Sequence, residues 1–304
     1  MELRHLQALV AITDAGSFSA AADRLGTVQS NISAHVARLE AELGTTLLDR
    51  ATGRLTDEGT VVVARARRML SELEALVADV AAYRDQVTGT VRVGMIGTTA
   101  RWLVPELLRL IDARHPGVHL VVVEGTTTGL EPRLEAGQLD VAVLNLPVPG
   151  RDVVTTPLFE EDLVLVVPVE HPLASHPGAL PVADLDGLEL LLPAHGTAYR
   201  DELDAAIAPA GVTLTPRAEI DGLRLIASLT FEGYGPAILP ATALPRILGD
   251  RFRGIPIAGL PRRRVGTALR ARGLPSAPTR VLLELLAGVV ARRSDLPGGL
   301  HTAS

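Results

Sequence analysis

In the N-terminal part of the chain, apolar positions recur with the period of an α-helix. Three such stripes follow one another, and a glycine separates each from the next. They comprise Leu3, Leu6, Leu9 and Val10; Phe18, Ala21, Ala22 and Leu25; and Ile32, Val36, Leu39 and Leu43. The pattern predicts three short amphipathic helices, the last two joined by a tight turn at Gly26. Two helices joined in this way form a helix-turn-helix, whose second helix can enter the major groove of DNA.

The second helix of this pair has a polar face opposite its apolar stripe. Hydrogen-bonding side chains able to reach base edges and phosphates lie on that face. They are Gln29, Ser30, Ser33, His35 and Arg38. The same two-helix pattern also occurs in all-α proteins that do not bind DNA, so the pattern alone leaves both interpretations open.

A single long helix is predicted over residues 61–87, which contain neither proline nor glycine. Its apolar positions are spaced alternately by four and three residues, the pattern of a coiled-coil seam. The seam comprises Val62, Ala66, Met69, Leu73, Leu76, Val80 and Tyr83. We expect it to pair with a second copy of the chain, the alternative being that it packs on the chain's own C-terminal half.

From residue 90 onward, short apolar strands alternate with helices. Strands are predicted at residues 90–96, 119–123, 140–144, 163–167, 188–192, 213–218, 237–239 and 266–270, and helices at 99–113, 130–136, 199–208, 223–232 and 279–291. Such alternation forms parallel sheets with right-handed crossovers. It predicts two α/β subdomains, crossed twice by the chain, with a cleft between them like that of periplasmic binding proteins.

The loops at the carboxyl ends of these strands are rich in hydroxyl groups. Ligands of α/β sheets bind at this edge, near helix N-termini. The candidate effector-binding residues are Thr98, Thr99, Thr126, Thr127, Thr128, Asn145 and Thr197. Any one of the threonines can instead be a helix cap, but four such loops converging on one cleft favour a pocket for a small polar or anionic molecule.

The amino-acid composition excludes several kinds of site. The chain of 304 residues contains no cysteine, which excludes disulfides, thiolate metal sites and redox sensing by a thiol. The net charge is −6, and residues 1–60 hold five arginines against eight acidic residues. A DNA-binding surface must therefore be local, and Arg38, Arg50 and Arg54 are the candidates to form it.

No enzymatic or metal-binding motif is found. The chain has no Gly-x-Ser-x-Gly, no phosphate-binding Gly-Lys-Ser/Thr loop and no lysine for a Schiff base. His115 and His119 are four residues apart, but Pro116 breaks the helix that would align them as metal ligands. The run at residues 262–264, three arginines, is interpreted as solvated charge. We therefore expect this chain to bind no metal or cofactor and to catalyse no reaction. No apolar run approaches the roughly 20 residues of a membrane span, so a cytoplasmic protein is expected.

Three N-terminal stretches, GSFSAAADRL, VQSNISAHVARLEAELG and LLDRATGRLTDEG, closely resemble the winged helix-turn-helix of LysR-type transcriptional regulators. Further along, EHPLA and EGYGPAILP stand where landmarks of that family stand. The resemblance implies a homodimer that pairs into a homotetramer and binds and bends promoter DNA under the control of a small-molecule effector. RNA polymerase is a further candidate partner. A solute-binding protein without gene control, the alternative, would leave the first 87 residues unexplained.

The resemblance also assigns residues to the DNA. Gln29 and Ser33 match recognition-helix positions, Arg50 and Arg54 lie in a wing, and Thr56 matches a hydroxyl at the wing's end. Where the family usually has Ser or Thr this chain has Val28, so Thr27 is expected to cap the recognition helix. The expected DNA contacts are Ser17, Thr27, Gln29, Ser30, Asn31, Ser33, His35, Arg38, Arg50, Arg54 and Thr56.

Together these observations predict a multidomain α/β fold with three parts. Residues 1–59 form the winged helix-turn-helix, residues 60–88 the linker and dimerisation helix, and residues 89–304 the effector-binding domain. Within the last, subdomain one comprises residues 89–164 and 267–295, and subdomain two comprises residues 165–266.

Overall fold

Three N-terminal helices pack around a small apolar core. The computed structural model describes residues 1–50, 52–83, 87–150, 152–245, 250–292 and 298–303. The helices are α1 (Leu3–Ala15), α2 (Phe18–Arg24) and α3 (Gln29–Leu43). Their core includes Leu9, Ile32 and Leu39, inward positions of the predicted stripes. The chain then forms a wing, closed by a bridge between Leu48 and Leu55, and the predicted winged helix-turn-helix is confirmed.

The starts of α2 and α3 differ in how they are capped. The Ser17 hydroxyl accepts a hydrogen bond from the Ala20 N–H at 3.2 Å, so Ser17 caps α2 as predicted. The prediction that Thr27 caps α3 is wrong, because the N-cap residue is Val28, whose side chain accepts no hydrogen bond. The Thr27 hydroxyl instead accepts from the Asn31 amide at 3.0 Å.

The linker helix α4 (Asp57–Ala82) begins earlier than its apolar seam predicts. It begins at Asp57 because the Thr56 hydroxyl accepts a hydrogen bond from the Gly59 N–H and caps it. Farther along, the Arg68 guanidinium donates to the Glu135 carbonyl and ties α4 to the effector domain. The predicted helix runs to residue 87, whereas α4 ends at Ala82; residues 84–86 lie outside the described residues.

The effector domain contains the remaining strands and helices. The strands are β1 (Gly89–Ile96), β2 (Val118–Gly125), β3 (Val141–Leu146), β4 (Val153–Glu161), β5 (Leu163–Pro168), β6 (Leu180–Pro181), β7 (Glu189–Pro193), β8 (Thr215–Ile220), β9 (Ala237–Pro240), β10 (Phe252–Ala258), β11 (Arg263–Arg270) and β12 (Leu300–Thr302). The α-helices are α5 (Gly97–Arg114), α6 (Thr127–Glu135), α7 (Ala198–Ile207), α8 (Leu223–Phe231) and α9 (Ala277–Ala291).

These strands form two subdomains. Subdomain one is a six-stranded sheet in the order β12-β4-β11-β3-β1-β2, covered by α5, α6 and α9. Subdomain two combines a four-stranded sheet, β6-β10-β5-β9, with the parallel pair β7-β8 and helices α7 and α8. This is the predicted two-subdomain α/β architecture. Among the described helices, none is both long and apolar enough to span a membrane.

The chain crosses between the subdomains at two short segments, which we call the hinge. Asp162 alone joins β4 to β5, and residues 259–262 join β10 to β11. The return strand begins at Arg263, three residues before the predicted start at Gly266. It is longer because Arg263 and Arg264 stand opposite Glu161 and Glu160 in the antiparallel pair with β4.

The sequence pattern missed four strands: β4, β6, β10 and β12. The first half of β4 is exposed and contains Pro157, a residue that usually argues against a strand. Strand β10 is interrupted by Gly254 and Pro256, and β6 and β12 are only two and three residues long.

Candidate DNA-binding surface and effector cleft

The N-terminal half of α3 presents its polar face to solvent. Burial of Ile32 and Val36 in the core fixes the rotation of the helix and turns the predicted recognition residues outward. Ser17, Gln29, Ser30, Asn31 and Arg38 are exposed, and Thr27, Ser33 and His35 are half-buried. Their groups, together with the backbone N–H groups at the start of α3, suit phosphate and base-edge contacts.

The arginines of this surface differ in how far their charge is offset. Arg50 lies 3.7 Å from the Glu40 carboxylate, which also accepts hydrogen bonds from the Leu47 and Leu48 N–H groups. Arg54, at the tip of the wing, and Arg38, on α3, form no ion pair with any described residue. The positive charge available to a phosphate is therefore concentrated at Arg38 and Arg54.

The wing is held against the start of α4. The Thr56 hydroxyl donates to the Thr46 carbonyl at 2.8 Å while it accepts from Gly59. A Cβ at Gly59 would lie 2.0 Å from the Leu47 carbonyl oxygen, so only glycine allows this approach. Thr56, expected to contact DNA, thus has a structural role that positions the wing.

The linker helix divides its apolar seam between two surfaces. Ala66 is only 1% exposed and belongs to the N-terminal core, against which Val62 also packs. Ala66 is therefore a correction to the predicted dimerisation set, since it is covered within its own chain, whereas Val62 is only half-buried. The rest of the seam is exposed, together with neighbouring apolar side chains off the seam; the exposed set is Val61, Met69, Leu73, Leu76, Val77, Val80 and Tyr83.

Two of the predicted effector-binding threonines cap helices. Thr126 accepts from the Gly129 N–H at the start of α6, and its hydroxyl lies 3.1 Å from that of Thr128. Thr197 accepts from the Arg200 N–H at the start of α7. For these two residues the capping alternative is confirmed.

The other predicted residues of the cleft fall into two groups. Thr98 and Thr99 lie in the first turn of α5 and are buried. The Thr99 hydroxyl has no hydrogen-bond partner among the described residues. Thr127 and Asn145 are linked to each other, because the Asn145 N–H donates to the Thr127 hydroxyl at 3.1 Å.

A groove of about 470 Å³ lies where α5 of subdomain one faces α8 of subdomain two. Thr98 and Arg101 line one side, and Arg224 and Ser228 line the other. The Arg224 guanidinium pairs with the Glu124 carboxylate at the end of β2, so one ion pair spans both subdomains beside the groove. Of the seven predicted effector residues, Thr98 alone lines it.

A buried polar cluster at the hinge escaped the sequence analysis. The Arg263 guanidinium donates to the Asn145 side chain at 2.6 Å and lies 3.3 Å from the Glu161 carboxylate. Its Cζ atom lies 5.2 Å from the ring centre of Tyr199, on α7 of subdomain two. The same carboxylate accepts from both the N–H and the hydroxyl of Thr242. The interpretation of residues 262–264 as solvated charge is therefore wrong for Arg263.

This cluster has electrostatic consequences. Burial raises the pKa of the Tyr199 hydroxyl, which donates to the Ile238 carbonyl and stays protonated. Burial also raises the pKa of the nearby Glu202 carboxyl, with Arg263 acting in the opposite direction. The sequence did contain a signal for this cluster. Residues 160–162 are three acidic residues and residues 262–264 are three arginines, so the two segments at which the chain crosses between subdomains carry opposite charge.

The described residues hold no group of three or more histidine, aspartate or glutamate side chains placed to bind a metal ion. Among the predicted effector residues, Thr126 and Thr197 cap helices, Thr127 and Asn145 bond to each other, and the buried Thr99 hydroxyl has no partner among the described residues. What the geometry offers is an exposed basic and polar surface at the N-terminus and a two-subdomain unit with a groove between the subdomains.

Comparisons with known protein families agree with the division of the chain into an N-terminal DNA-binding part and a C-terminal two-subdomain unit. Residues 3–60 match the family model described as "Bacterial regulatory helix-turn-helix protein, lysR family". Residues 84–291 match the model described as "LysR substrate binding domain". The match over residues 3–60 excludes the solute-binding alternative, which has no place for a DNA-binding domain.

Individual relatives share nearly the whole length of the chain. A probable hydrogen peroxide-inducible genes activator of Streptomyces viridosporus is 36% identical, over 97% of this chain and 95% of that protein. The transcriptional dual regulator OxyR of Escherichia coli K12 is 29% identical, over 97% and 96% of the two chains.

Solved structures show the same arrangement of domains. A full-length OxyR cysteine variant from Pseudomonas aeruginosa has a TM-score of 0.79 at 28% identity, covering 100% of this chain and 99% of its own. CbnR, solved in complex with its target DNA, has a TM-score of 0.67 at 26% identity, covering 97% and 100%.

Proposed function

Because this chain belongs to the LysR family of bacterial DNA-binding transcriptional regulators, we propose that it acts as a homodimer that pairs into a homotetramer. Each dimer presents two winged helix-turn-helix domains to a promoter. A small molecule held between the subdomains changes how the assembly binds and bends that DNA.

The observation that carries the DNA-binding proposal is the exposed polar half of α3 beside the wing. Gln29 and Asn31 have amide groups that can bond to adenine, and Arg38 and Arg54 offer unpaired charge to phosphates. The chain's net charge of −6 weakens non-specific attraction, so affinity depends on this local surface and on having two copies of it.

The dimerisation proposal rests on the exposed apolar face of α4. Leu76 is 60% exposed and Tyr83 92% exposed, although large apolar side chains in such a row are usually covered by a partner. A second α4 packed on this face would bury them as a coiled coil does. It would also bring together two recognition helices, as operator half-sites about one helical turn apart require.

The effector proposal places a small polar or anionic ligand between the subdomains. Thr98 supplies a hydroxyl, and Arg101 and Arg224 supply cationic groups, on opposite sides of the groove. Because Arg224 already pairs with Glu124 across the subdomains, an anion bound to Arg224 would release that pair. Ligand binding would then change how the two subdomains sit on each other.

The chemistry by which this chain would sense its effector differs from the oxidation of a thiol by peroxide. Curated relatives are named hydrogen peroxide-inducible activators, but this chain has no cysteine that could be oxidised to a sulfenic acid or a disulfide. We therefore propose a reversible small-molecule effector in place of thiol oxidation.

Binding to a promoter would also determine a partner and a location for this protein. An activator that bends DNA would contact RNA polymerase. The site of action would be the cytoplasm, where bacterial promoters lie, and we expect no catalytic activity.

The test is fluorescence anisotropy of the full chain with DNA from upstream of its own gene, across a salt series. Specific binding should survive competitor DNA, and the logarithm of affinity should fall linearly with the logarithm of salt concentration. Replacing Gln29→Ala should weaken specific binding by about 1–3 kcal/mol, and Arg54→Ala should reduce the salt slope by roughly one contact per wing.

Two matched controls accompany the test: Gln7→Ala on the exposed face of α1 and Arg253→Ala on β10. Both should bind like the original chain, since neither lies on the proposed DNA surface. Absence of specific binding at every salt concentration, or equal losses in the controls, would refute the DNA surface. For the effector, unchanged affinity in Thr98→Ala for a ligand found by screening would refute the proposed groove.

A further inference from the structure

Two histidines pack against each other where α1 contacts the recognition helix α3. His5 of α1 and His35 of α3 have ring centres 5.4 Å apart, with planes inclined at 37°. His5 is 1% exposed, whereas His35 is half-buried on the side of α3 that leads to the DNA surface. The His5 ring is therefore part of the buried surface against which the recognition helix packs.

A hydrogen bond selects the tautomer of the neutral His5 ring. Its Nδ1 accepts a hydrogen bond from the Glu2 N–H at 3.3 Å, at the start of α1. A ring nitrogen that accepts carries no proton, so the proton of neutral His5 is on Nε2. Nε2 is buried and has no partner among the described residues. Protonating Nδ1 would break the bond to Glu2 and put a charge in a buried site.

Charged groups around the pair act in both directions. Arg4, on α1, and Arg38, on α3, oppose a positive charge on His35, while Glu2 favours it. The Glu42 carboxylate lies 4.0 Å from His5 Nδ1, but it is already paired with the N-terminal amine. Glu2 is likewise paired with Arg4, at 2.7 Å. Both carboxylates thus already pair with other cations while also facing the histidine pair.

We propose that His5 is a positioning residue for the recognition helix and that protonation of His35, which packs against it, weakens DNA binding. In the neutral state the two rings pack and hold α3 against α1. When His35 gains a proton, its packing against the His5 ring is lost and α3 shifts. This inference rests on the proposed DNA-binding function of α3.

The direction of the pH effect follows from linkage. Burial, and secondly the neighbouring His5, lowers the pKa of the His35 imidazole. A histidine with a lowered folded-state pKa stabilises the fold above its ordinary pKa of about 6.5, and that stabilisation is lost as pH falls through the folded-state value. If His35 acted only as a phosphate contact, its protonation would strengthen binding in acid. The two roles therefore predict opposite signs.

The test compares anisotropy at about pH 7.5 and about pH 5.5, the range in which histidine titrates, at constant ionic strength. The original chain should bind roughly fivefold more weakly at the lower pH, because a proton on His35 opposes the packing that holds α3. His35→Gln and His5→Gln, which keep polar side chains but do not titrate here, should lose this dependence. His119→Gln, at an exposed position of β2, is the control and should keep it.

Hydrogen exchange of residues 29–43 in the full chain, without DNA, gives a second readout. Protection of α3, corrected for intrinsic exchange, should fall at the lower pH in the original chain and not in His35→Gln. Affinity that rises or stays constant in acid, or protection that changes equally in both chains, overturns the inference. If the chain binds no DNA at about pH 7.5, the proposed function fails, and the exchange comparison still decides whether the pair holds α3.

Discussion

Arg263 stands directly opposite Glu161 where β11 pairs with β4, and Nη1 of the arginine lies 3.3 Å from a carboxylate oxygen of the glutamate. Both side chains are buried at the hinge. Tyr199 of subdomain two covers the guanidinium, and Asn145 of subdomain one accepts from it. One ion pair thus contacts both subdomains at the place where any relative movement must occur.

Breaking this pair should destabilise subdomain one. Glu161→Gln leaves the buried Arg263 without a counter-charge, which costs about 3–5 kcal/mol when one partner of a buried pair is removed. Urea unfolding followed by Trp102 fluorescence measures it, because Trp102 is the chain's sole tryptophan and packs edge-on against Phe159 in subdomain one. Glu160→Gln, whose arginine partners lie 4.0 Å away and are half exposed, should change stability by less than about 1 kcal/mol. Equal effects of the two substitutions would contradict a special role for the buried pair.

The wing should be sensitive to a single methyl group. Gly59→Ala places a Cβ against the Leu47 carbonyl oxygen, and backbone cannot yield as a side-chain end can. We expect a loss of about 1–3 kcal/mol and weaker DNA binding, measured by thermal unfolding and anisotropy. Gly288→Ala is the matched control, since it lies in helix α9 with open space at its Cβ. It should stabilise the chain by roughly 0.5–1 kcal/mol; an unaffected Gly59→Ala chain would show that the contact relaxes freely.

A charge on the exposed face of α4 should prevent dimerisation. Leu76→Glu would place a carboxylate in each half of the proposed coiled-coil interface, where desolvation and like-charge repulsion both oppose association. Sedimentation equilibrium should show a monomer, with the weaker DNA binding that loss of a half-site brings. Val154→Glu changes an equally apolar, exposed position on β4 and should leave the assembly intact. A dimer that survives Leu76→Glu would move the interface elsewhere.

Hydrogen peroxide should leave DNA affinity unchanged. The chain contains no cysteine and only three methionines, of which Met69 lies on the exposed face of α4. Low micromolar peroxide oxidises reactive thiolates selectively, so neither anisotropy nor intact mass should change. A shifted affinity accompanied by a mass gain of one oxygen would instead assign a peroxide response to a methionine.

Local pattern was enough to predict the N-terminal domain and the apolar strands and helices of both subdomains. The stripes at Leu9, Ile32 and Leu39 specify faces that only one packing can bury together, and glycines mark the turns. Strands such as β5 are continuous apolar runs, which indicate burial on both faces. In these segments the signal is contained within about ten neighbouring residues.

The hinge cluster could not be predicted in the same way. Glu161 and Arg263 are far apart in sequence, and each alone is typical of a solvated surface. Their burial depends on the pairing of β4 with β11, and β4 itself was missed because Pro157 and two threonines interrupt its apolar pattern. The division of the α4 seam was missed for a related reason, since a regular spacing does not say which element covers Ala66.

The hinge also sets an order for biosynthesis. Subdomain two is one continuous segment between Asp162 and Arg262, so its sheets have every strand they need before the rest of the chain emerges from the ribosome. Subdomain one cannot complete its sheet until β11, and then β12, have been made, because β11 lies between β3 and β4. During translation the first strands of the effector domain are therefore made before the strands that complete their sheet, and we expect subdomain two, synthesised later, to fold before subdomain one.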